Sequence, residues 1–372
     1  MKVLTIGSDA NLFKADSPVA GRIKKYGALA EELHIIVFTK QGYQNTRLAD
    51  NVYIYPTNSA SKIFFIFDGW RLAKRIVREK KIDLVSTQDP FESAFLGIKL
   101  KKKFGIKLQI QIHGNFFQSD YWRSRPLFKI RKHLAKYCLP KADGVRVVSR
   151  QIQESLSQFK IPREKIYLLP IHEDYSKYLN NRPSFDLHRR YPGKFIILWV
   201  GRLSREKNLD LLIDSFKIVN RKFNQTVLLL AGEGPEKEKL KNQAKRLKLE
   251  SAVVFYPWQD DLVSFYKTSD LFVLCSKTEG YNRSVVEAMA SGLPVIMTNV
   301  GPAGELVKNM VNGWVLEKPG VLEITSALVT LIQNEDLRKK IAEQAAADVQ
   351  KLPNEKEYLA LYLKGWQLAQ QG

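Results

Sequence analysis

Two doubly wound α/β domains facing across a cleft are what this sequence predicts, and three observations predict them. Near-continuous apolar runs of strand length alternate with helical stretches in both halves of the chain. The alternation lapses once, between His172 and Gly193, and then restarts. The 372 residues accommodate two domains of about 100–200 residues each.

In the first half, Val3–Ile6, Ile35–Phe38, Val52–Tyr55, Leu84–Thr87, Leu108–Ile112, Val145–Val148 and Ile166–Leu169 read as strands buried on both faces. Between them, Pro18–Glu32, Gly69–Lys81, Phe91–Phe104, Leu127–Leu139 and Gln151–Phe159 carry helical spacing, the first with proline in its opening turn. Residues 172–193, with Asn180, Asn181, Pro183, Pro192 and Gly193, read as a linker. Strands are then expected at Phe195–Val200, Val227–Ala231, Val253–Tyr256, Leu271–Cys275 and Val295–Met297. Helices are expected at Asn208–Lys222, Pro235–Leu247, Leu262–Thr268 and Ser284–Ser291. A last helix, Lys356–Ala369, puts Tyr358, Leu361, Tyr362, Trp366 and Leu368 on one wide apolar face. The expected division is 1–171 completed by 355–372, a linker over 172–193, and 194–354.

Two cysteines, Cys138 and Cys275, offer neither a disulfide framework nor metal-ligand spacing, which points to a reducing compartment. The opening apolar run is too short for a signal peptide, and no run reaches the ~18 apolar residues of a spanning helix. A cytoplasmic protein, soluble or peripheral, is expected. The net charge is +21, and residues 1–185 carry 33 Lys and Arg against 16 Asp and Glu, whereas 186–372 carry 26 against 22. A basic first half implies an anionic partner: nucleic acid, a phosphorylated acceptor or an acidic membrane surface.

The second half holds three turns of chemical interest, each at the carboxyl end of an expected strand and on the same side of one parallel sheet. Gly201-Arg202-Leu203-Ser204-Arg205-Glu206-Lys207-Asn208 sets two cations five positions apart beside a helix start, which suits a diphosphate. Gly232-Glu233-Gly234-Pro235 is a tight turn that chain reversal alone would explain. Glu279-Gly280-Tyr281-Asn282-Arg283 leads into a helix carrying Glu287, so two carboxylates frame a loop where a hydroxyl-rich ligand fits; a helix cap with a surface glutamate is the plainer alternative.

In this order, with Val311-Asn312-Gly313-Trp314-Val315-Leu316 following, these motifs over about 195–318 resemble the donor domain of family 4 of the retaining glycosyltransferases with the GT-B fold. The resemblance implies that Arg202 and Lys207 hold the diphosphate of a UDP-, GDP- or ADP-sugar next to Gly201. It implies that Glu287 accepts from the ribose hydroxyls, and that Glu279 contacts the transferred sugar, supported by backbone N–H groups around Gly280, Tyr281 and Asn282. It also implies that 1–171 binds the acceptor, 194–354 binds the donor, and the last helix crosses back onto the first domain. Asn282 stands where many members have glycine, and asparagine tolerates left-handed backbone angles. Arg283 reaches a phosphate or an acidic sugar, faces solvent, or forms a structural ion pair.

The first half supplies weaker candidates. His113 and Asn115 follow the run Gln109–Ile112 at a glycine turn, where the imidazole is either structural or a hydrogen-bond and proton-transfer group beside the reacting sugar. Asp89 is an acceptor-side candidate, and Gly21 with Arg22 occupies the passage where the family carries a glycine-rich phosphate loop. Segments 62–81 and 121–137 interleave cations with Ile63, Phe64, Phe67, Trp70, Trp122 and Phe128. They are core helices with solvated basic faces, or a surface that lies on anionic lipid.

The sequence has no Asp-x-Asp pair and no His/Cys cluster to hold a metal. The expected activity is a retaining, metal-independent hexosyl transfer from a nucleotide sugar to a glycan or lipid-linked acceptor, in cell-surface polysaccharide or glycolipid synthesis at the inner face of the membrane. The alternatives are a sugar-nucleotide epimerase of the same fold and, from another class, a nucleic-acid-binding protein. No RNA-binding signature accompanies the basic half, so no nucleic-acid partner is expected.

Overall fold

The computed structural model describes residues 1–117 and 126–372. The chain forms two compact units, Met1–Pro170 with Glu355–Gly372, and Ile171–Asn354. Each is a Rossmann-like α/β domain built on a parallel sheet.

In the first unit the elements run β1 (Lys2–Gly7), α1 (Pro18–Gly27), β2 (Glu32–Val37), β3 (Thr46–Ala49), β4 (Val52–Pro56), α2 (Phe65–Lys80), β5 (Leu84–Thr87), α3 (Glu92–Phe104), β6 (Lys107–Ile112), α4 (Pro126–Cys138), β7 (Gly144–Val147), α5 (Arg150–Ser155) and β8 (Ile166–Leu168). The sheet order is β3-β4-β2-β1-β5-β6-β7-β8, antiparallel only at β3. Its direction of travel reverses between β1 and β5.

The second unit runs α6 (Ser176–Asn180), α7 (Leu187–Arg190), β9 (Phe195–Val200), α8 (Leu209–Lys222), β10 (Thr226–Ala231), α9 (Lys237–Arg246), β11 (Val253–Tyr256), α10 (Leu262–Lys267), β12 (Leu271–Leu274), α11 (Arg283–Ala290), β13 (Val295–Thr298), β14 (Trp314–Leu316), α12 (Val321–Gln333) and α13 (Glu335–Gln350). The order β11-β10-β9-β12-β13-β14 puts the switch point between β9 and β12, where parallel sheets open a crevice for ligands. Trp199, Phe216, Ile213, Leu230 and Val273 form part of the core beneath it, fully buried.

The last helix, α14 (Glu355–Gln371), belongs to the first unit. Its ring of Tyr362 stacks on Tyr26 with centroids 4.0 Å apart, and Trp366 is 1% exposed. The buried Arg146 guanidinium donates to Gln111 Oε1 at 2.7 Å, to Tyr358 Oη at 2.9 Å and to the carbonyls of Leu169 and Pro170. It also lies 4.9 Å from the Tyr362 ring centroid. No carboxylate pairs with it among the described residues, so phenols and carbonyls replace the water it gives up.

Four expectations need correction. The helix expected over Pro18–Glu32 ends at Gly27, because Glu32 already pairs with Lys2 as the first residue of β2. The edge strands β3 and β14 are additions that the sequence did not betray, β3 being half-polar and β14 only three residues long. Leu156–Phe159 is a 3₁₀ turn, not a continuation of α5. Residues 172–193, expected as linker, hold α6 and α7 and bury Tyr175, Tyr178 and Leu187 within the second unit. Three apolar anchors among many polar residues suffice to dock such a segment.

Candidate active site

Chain reversal at the ends of β9 and β10 brings two glycine turns into contact. Leu203 N–H donates to Glu233 O at 2.9 Å, Glu236 N–H donates to Leu203 O at 3.0 Å, and Gly201 N–H donates to Ala231 O at 3.0 Å. Gly232 sits at φ +148°, and a Cβ there would lie 1.8 Å from the Gly201 carbonyl oxygen. Only glycine permits that approach.

Across the switch point, Lys277 N–H donates to Glu206 O at 2.8 Å, tying the loop after β12 to the loop after β9. The same two loops are joined by their side chains: Lys207 Nζ donates to Glu279 Oε1 at 2.7 Å, with the lysine 17% and the glutamate 10% exposed. Cys275 Sγ lies 3.2 Å from the Lys207 carbonyl, and burial pushes its thiol well above the usual range, so it remains an S–H donor that fixes the backbone of Lys207. Arg202 is exposed and has no ion-pair partner among the described residues.

Asn282 has φ +67°, and its side chain accepts from Val285 N at 3.1 Å, so one residue makes the left-handed turn and caps α11. Gly301, in the loop after β13, sits at φ +59° under this turn; a Cβ there would come 2.6 Å from Tyr281 O. Tyr281 itself is buried and packs the loop down, while Gly280 is half-buried. Glu287 lies on the next turn of α11, 5% exposed. Its Oε2 accepts from Tyr266 Oη at 2.9 Å, and its Oε1 lies 3.6 Å from Arg283 Nη2. Burial pushes the Glu287 carboxyl up, with Arg283 and the Tyr266 hydrogen bond opposing. Arg283 also pairs with Glu173 at 2.7 Å. Gly201, Lys207, Glu279, Asn282 and Glu287 are thus gathered around the switch point of one sheet. Tyr266, Glu173, Cys275 and Gly301 join them unforeseen, since none stands in a motif.

In the first unit, His113 follows β6, half-buried, with Nε2 3.1 Å from Gln88 Oε1. Burial, then the charges of Arg146 and Arg22, holds its pKa down to about 3. The ring is therefore neutral at physiological pH and a weak base. Asn115 is buried on the same turn. The Asp89 carboxylate accepts from Phe91 N at 2.8 Å and Ser93 Oγ at 2.7 Å, the geometry of a group that starts α3; burial raises its pKa. Gly21 lies within α1, where its N–H donates to Ser17 O at 3.0 Å as part of the helix. Half-buried Arg22 is close enough to act on His113 and Tyr362. The beginning of the basic segment 121–137, including Trp122, Arg123 and Arg125, lies outside the described residues.

Two family models match the chain: Glycosyltransferase Family 4 over residues 27–171, and Glycosyl transferases group 1 over 182–348. The chain belongs to the group 1 glycosyltransferases. This GT-B transferase is 27% identical over 320 residues to an uncharacterized glycosyltransferase of Methanocaldococcus jannaschii, spanning 84% of the chain and 83% of that relative. It is 25% identical over 272 residues to the UDP-Gal:alpha-D-GlcNAc-diphosphoundecaprenol alpha-1,3-galactosyltransferase of Escherichia coli, over 71% of the chain and 70% of that enzyme. The sucrose-phosphate synthase of Thermosynechococcus elongatus superposes with a TM-score of 0.80 at 19% identity, covering 100% of this chain and 99% of the other, which supports the fold. The matched families are transferases, which sets the epimerase alternative aside.

Proposed function

We propose that this glycosyltransferase moves a sugar from a nucleoside diphosphate sugar to a hydroxyl of a glycan or lipid-linked acceptor, with retention and without a metal ion. The observation that carries the proposal is the Lys207–Glu279 pair across the switch point, with the buried Glu287 carboxylate behind it. Lys207 and Arg202 supply the positive charge that a departing diphosphate needs, Glu279 accepts from the sugar hydroxyls, and Glu287 accepts from the ribose. The acceptor oxygen bonds to the anomeric carbon on the face from which the bond to phosphate breaks, and its proton passes to the departing phosphate oxygen. His113 is neutral, which suits it to hydrogen bonding and not to the role of a general base. UDP-galactose as donor and a diphosphoundecaprenol acceptor, both named for the E. coli relative, favour a UDP-sugar and a lipid-linked acceptor here. GDP- and ADP-sugars are the competing donors.

A lipid-linked acceptor calls for contact with a membrane. Among the described residues no helix is long and apolar enough to cross one. Ile63 (87% exposed) and Phe64 (50%) stand out on the 3₁₀ turn before α2 and Phe67 (65%) on its first turn, with Leu127 (58%) and Ile130 (64%) at the start of α4. Both helices pack on α3, and Lys62–Lys81, Phe91–Phe104 and Pro126–Lys141 together hold 16 Lys and Arg against 3 Asp and Glu. Trp70 is not one of the anchors: Lys74, Lys99 and Lys103 approach its ring within 6.0 Å. Peripheral binding to anionic lipid through this face, from the cytoplasm, follows from exposed apolar groups ringed by cations.

Release of nucleoside diphosphate from UDP-, GDP- and ADP-sugars, with lipid-linked acceptors and chelator present, tests the activity. Folded protein that binds none of these donors at millimolar concentration overturns the proposal. Flotation with anionic liposomes, lost on Phe64→Ser with Phe67→Ser, tests the membrane face; retention on polyanions with no liposome binding would favour nucleic acid instead.

A further inference from the structure

From the geometry around Glu287 we infer that Arg283 is a positioning residue for the ribose carboxylate, held by Glu173; the inference rests on the donor-site proposal above. Glu287 has two oxygens with different surroundings. Oε2 is fixed by the Tyr266 hydroxyl at 2.9 Å. Oε1 faces the Arg283 guanidinium at 3.6 Å, near enough to feel its charge and too far for a strong hydrogen bond. That leaves Oε1 able to accept from a ligand hydroxyl while its ionised form is stabilised from the side.

Arg283 Nη2 is already engaged by Glu173 Oε1 at 2.7 Å, and the same nitrogen stands 3.6 Å from Glu287 Oε1, so Glu173 competes with Glu287 for it. Glu173 belongs to the segment that enters the second unit at Ile171, and docking of Tyr175 and Tyr178 anchors that segment. One cation is therefore shared by two carboxylates, the shorter contact going to the less buried one. The other groups that face Glu287 are Tyr266 on α10, and Lys177 and Tyr178 on α6, with Tyr175 just before it. α13, which also packs on α11, buries Ile341, Ala345 and Val349. Lys177 favours the ionised carboxylate and Glu173 opposes it, so Arg283 supplies the largest favourable charge. A chain with a neutral residue at 283 would have to keep a nearly sequestered carboxylate ionised by other means.

The test is the affinity of UDP, GDP, inorganic diphosphate and a 2′,3′-dideoxynucleoside diphosphate between pH 5.5 and 8.5, with thermal melting as the check on folding. Removing an opposite charge at this range moves a carboxyl pKa by about one pH unit or more. Arg283→Met is expected to weaken nucleoside diphosphate binding about tenfold at pH 6, less at pH 8.5, and to move the acid limb of binding upward by about one pH unit. Arg283→Lys, which keeps the charge, restores most of the affinity, and Glu173→Gln gives a smaller loss. Inorganic diphosphate and the dideoxy ligand, which cannot use Glu287, bind wild type and Arg283→Met alike. Wild-type protein that binds no nucleoside diphosphate overturns the donor-site proposal, and the inference with it. Wild type that binds while Arg283→Met and Glu173→Gln keep its affinity and acid limb overturns the inference alone. A loss that is equal for inorganic diphosphate overturns it too, since Arg283 would then be a phosphate ligand.

Discussion

At His113 a single side chain reports on the electrostatics of its site. In the unfolded chain the imidazole takes up a proton near its ordinary pKa of 6.5, but in the fold only near about 3. Its contribution to stability is whole above pH 6.5 and is lost as the pH falls below that value, because protonation then favours the unfolded chain. His113→Gln, which keeps a polar group beside Gln88, should therefore flatten the acid side of the melting curve by about 1–2 kcal/mol at pH 5 and change little at pH 8; melting temperatures across that range decide it. Lys207 carries the second prediction. Lys207→Ala leaves Glu279, 10% exposed, without its cation, and should cost about 1.5–3 kcal/mol of stability. Turnover should fall by about 10²–10³-fold, since one preorganised charge opposite the leaving group is gone; steady-state rates of nucleotide release measure it. Lys207, Glu279 and Glu287 were legible in the sequence because the spacing from turn to helix is itself the motif. Tyr266 and Glu173 were not, because each enters from an element whose place is set only by tertiary packing, and no local pattern marks a residue that points at a neighbour 21 or 110 positions away.

Among the elements, the paired turns after β9 and β10 are the part of the site most exposed to a backbone test. Gly232→Ala adds a methyl where the Gly201 carbonyl stands, in a region of φ that alanine avoids, and the turns must separate. The expected cost is about 1–3 kcal/mol, together with loss of nucleoside diphosphate binding, while Gly193→Ala, with φ +68° but nothing near its Cβ, should cost no more than the backbone strain. Calorimetric titration with UDP beside thermal melting separates these two outcomes. The central strands were readable because burial on both faces makes them continuously apolar. Edge strands escape that rule: β3, Thr46–Ala49, has no fully buried residue, and β14 is three residues long. The helix from Pro18 was read too far because Ala28, Leu29 and Ala30 keep good helical propensity through the turn that ends it, and only pairing of Glu32 with Lys2 stops the helix. Asn282 shows the opposite case, in which a residue's tolerance for positive φ foretold its backbone.

In the molecule as a whole, the first unit is completed from the far end of the chain, and this gives a prediction on unfolding. α14 contributes Tyr358, Tyr362, Trp366 and Ala369 to the core that also holds Val3, Tyr26 and Ile35. It further supplies the Tyr358 hydroxyl to the buried Arg146 and the Gly365 carbonyl to Gln109, which donates at 2.8 Å. Removing residues 355–372 would strip apolar cover from β6 and β7, against which α14 packs, and leave the Arg146 guanidinium short of a partner. An uncompensated buried charge is costly. Trp366→Ala alone should cost about 3–5 kcal/mol. The second unit keeps its own core of Trp199, Phe216, Leu230 and Leu328 in both cases, so the loss should fall on one unit. Calorimetry of the truncated chain is then expected to show two transitions, the lower from Met1–Pro170 and the upper at the temperature of an isolated 171–354 fragment, while UDP still raises the upper one. A single transition lowered as a block would mean that the two units melt cooperatively and that α14 stabilises both. Arg146→Met refines the result: if the tail is held chiefly by apolar packing, a neutral side chain of similar length should leave the lower transition within about 1 kcal/mol of wild type. If it is held chiefly by the Arg146 hydrogen bond to Tyr358, the lower transition should fall as far as it does with Trp366→Ala.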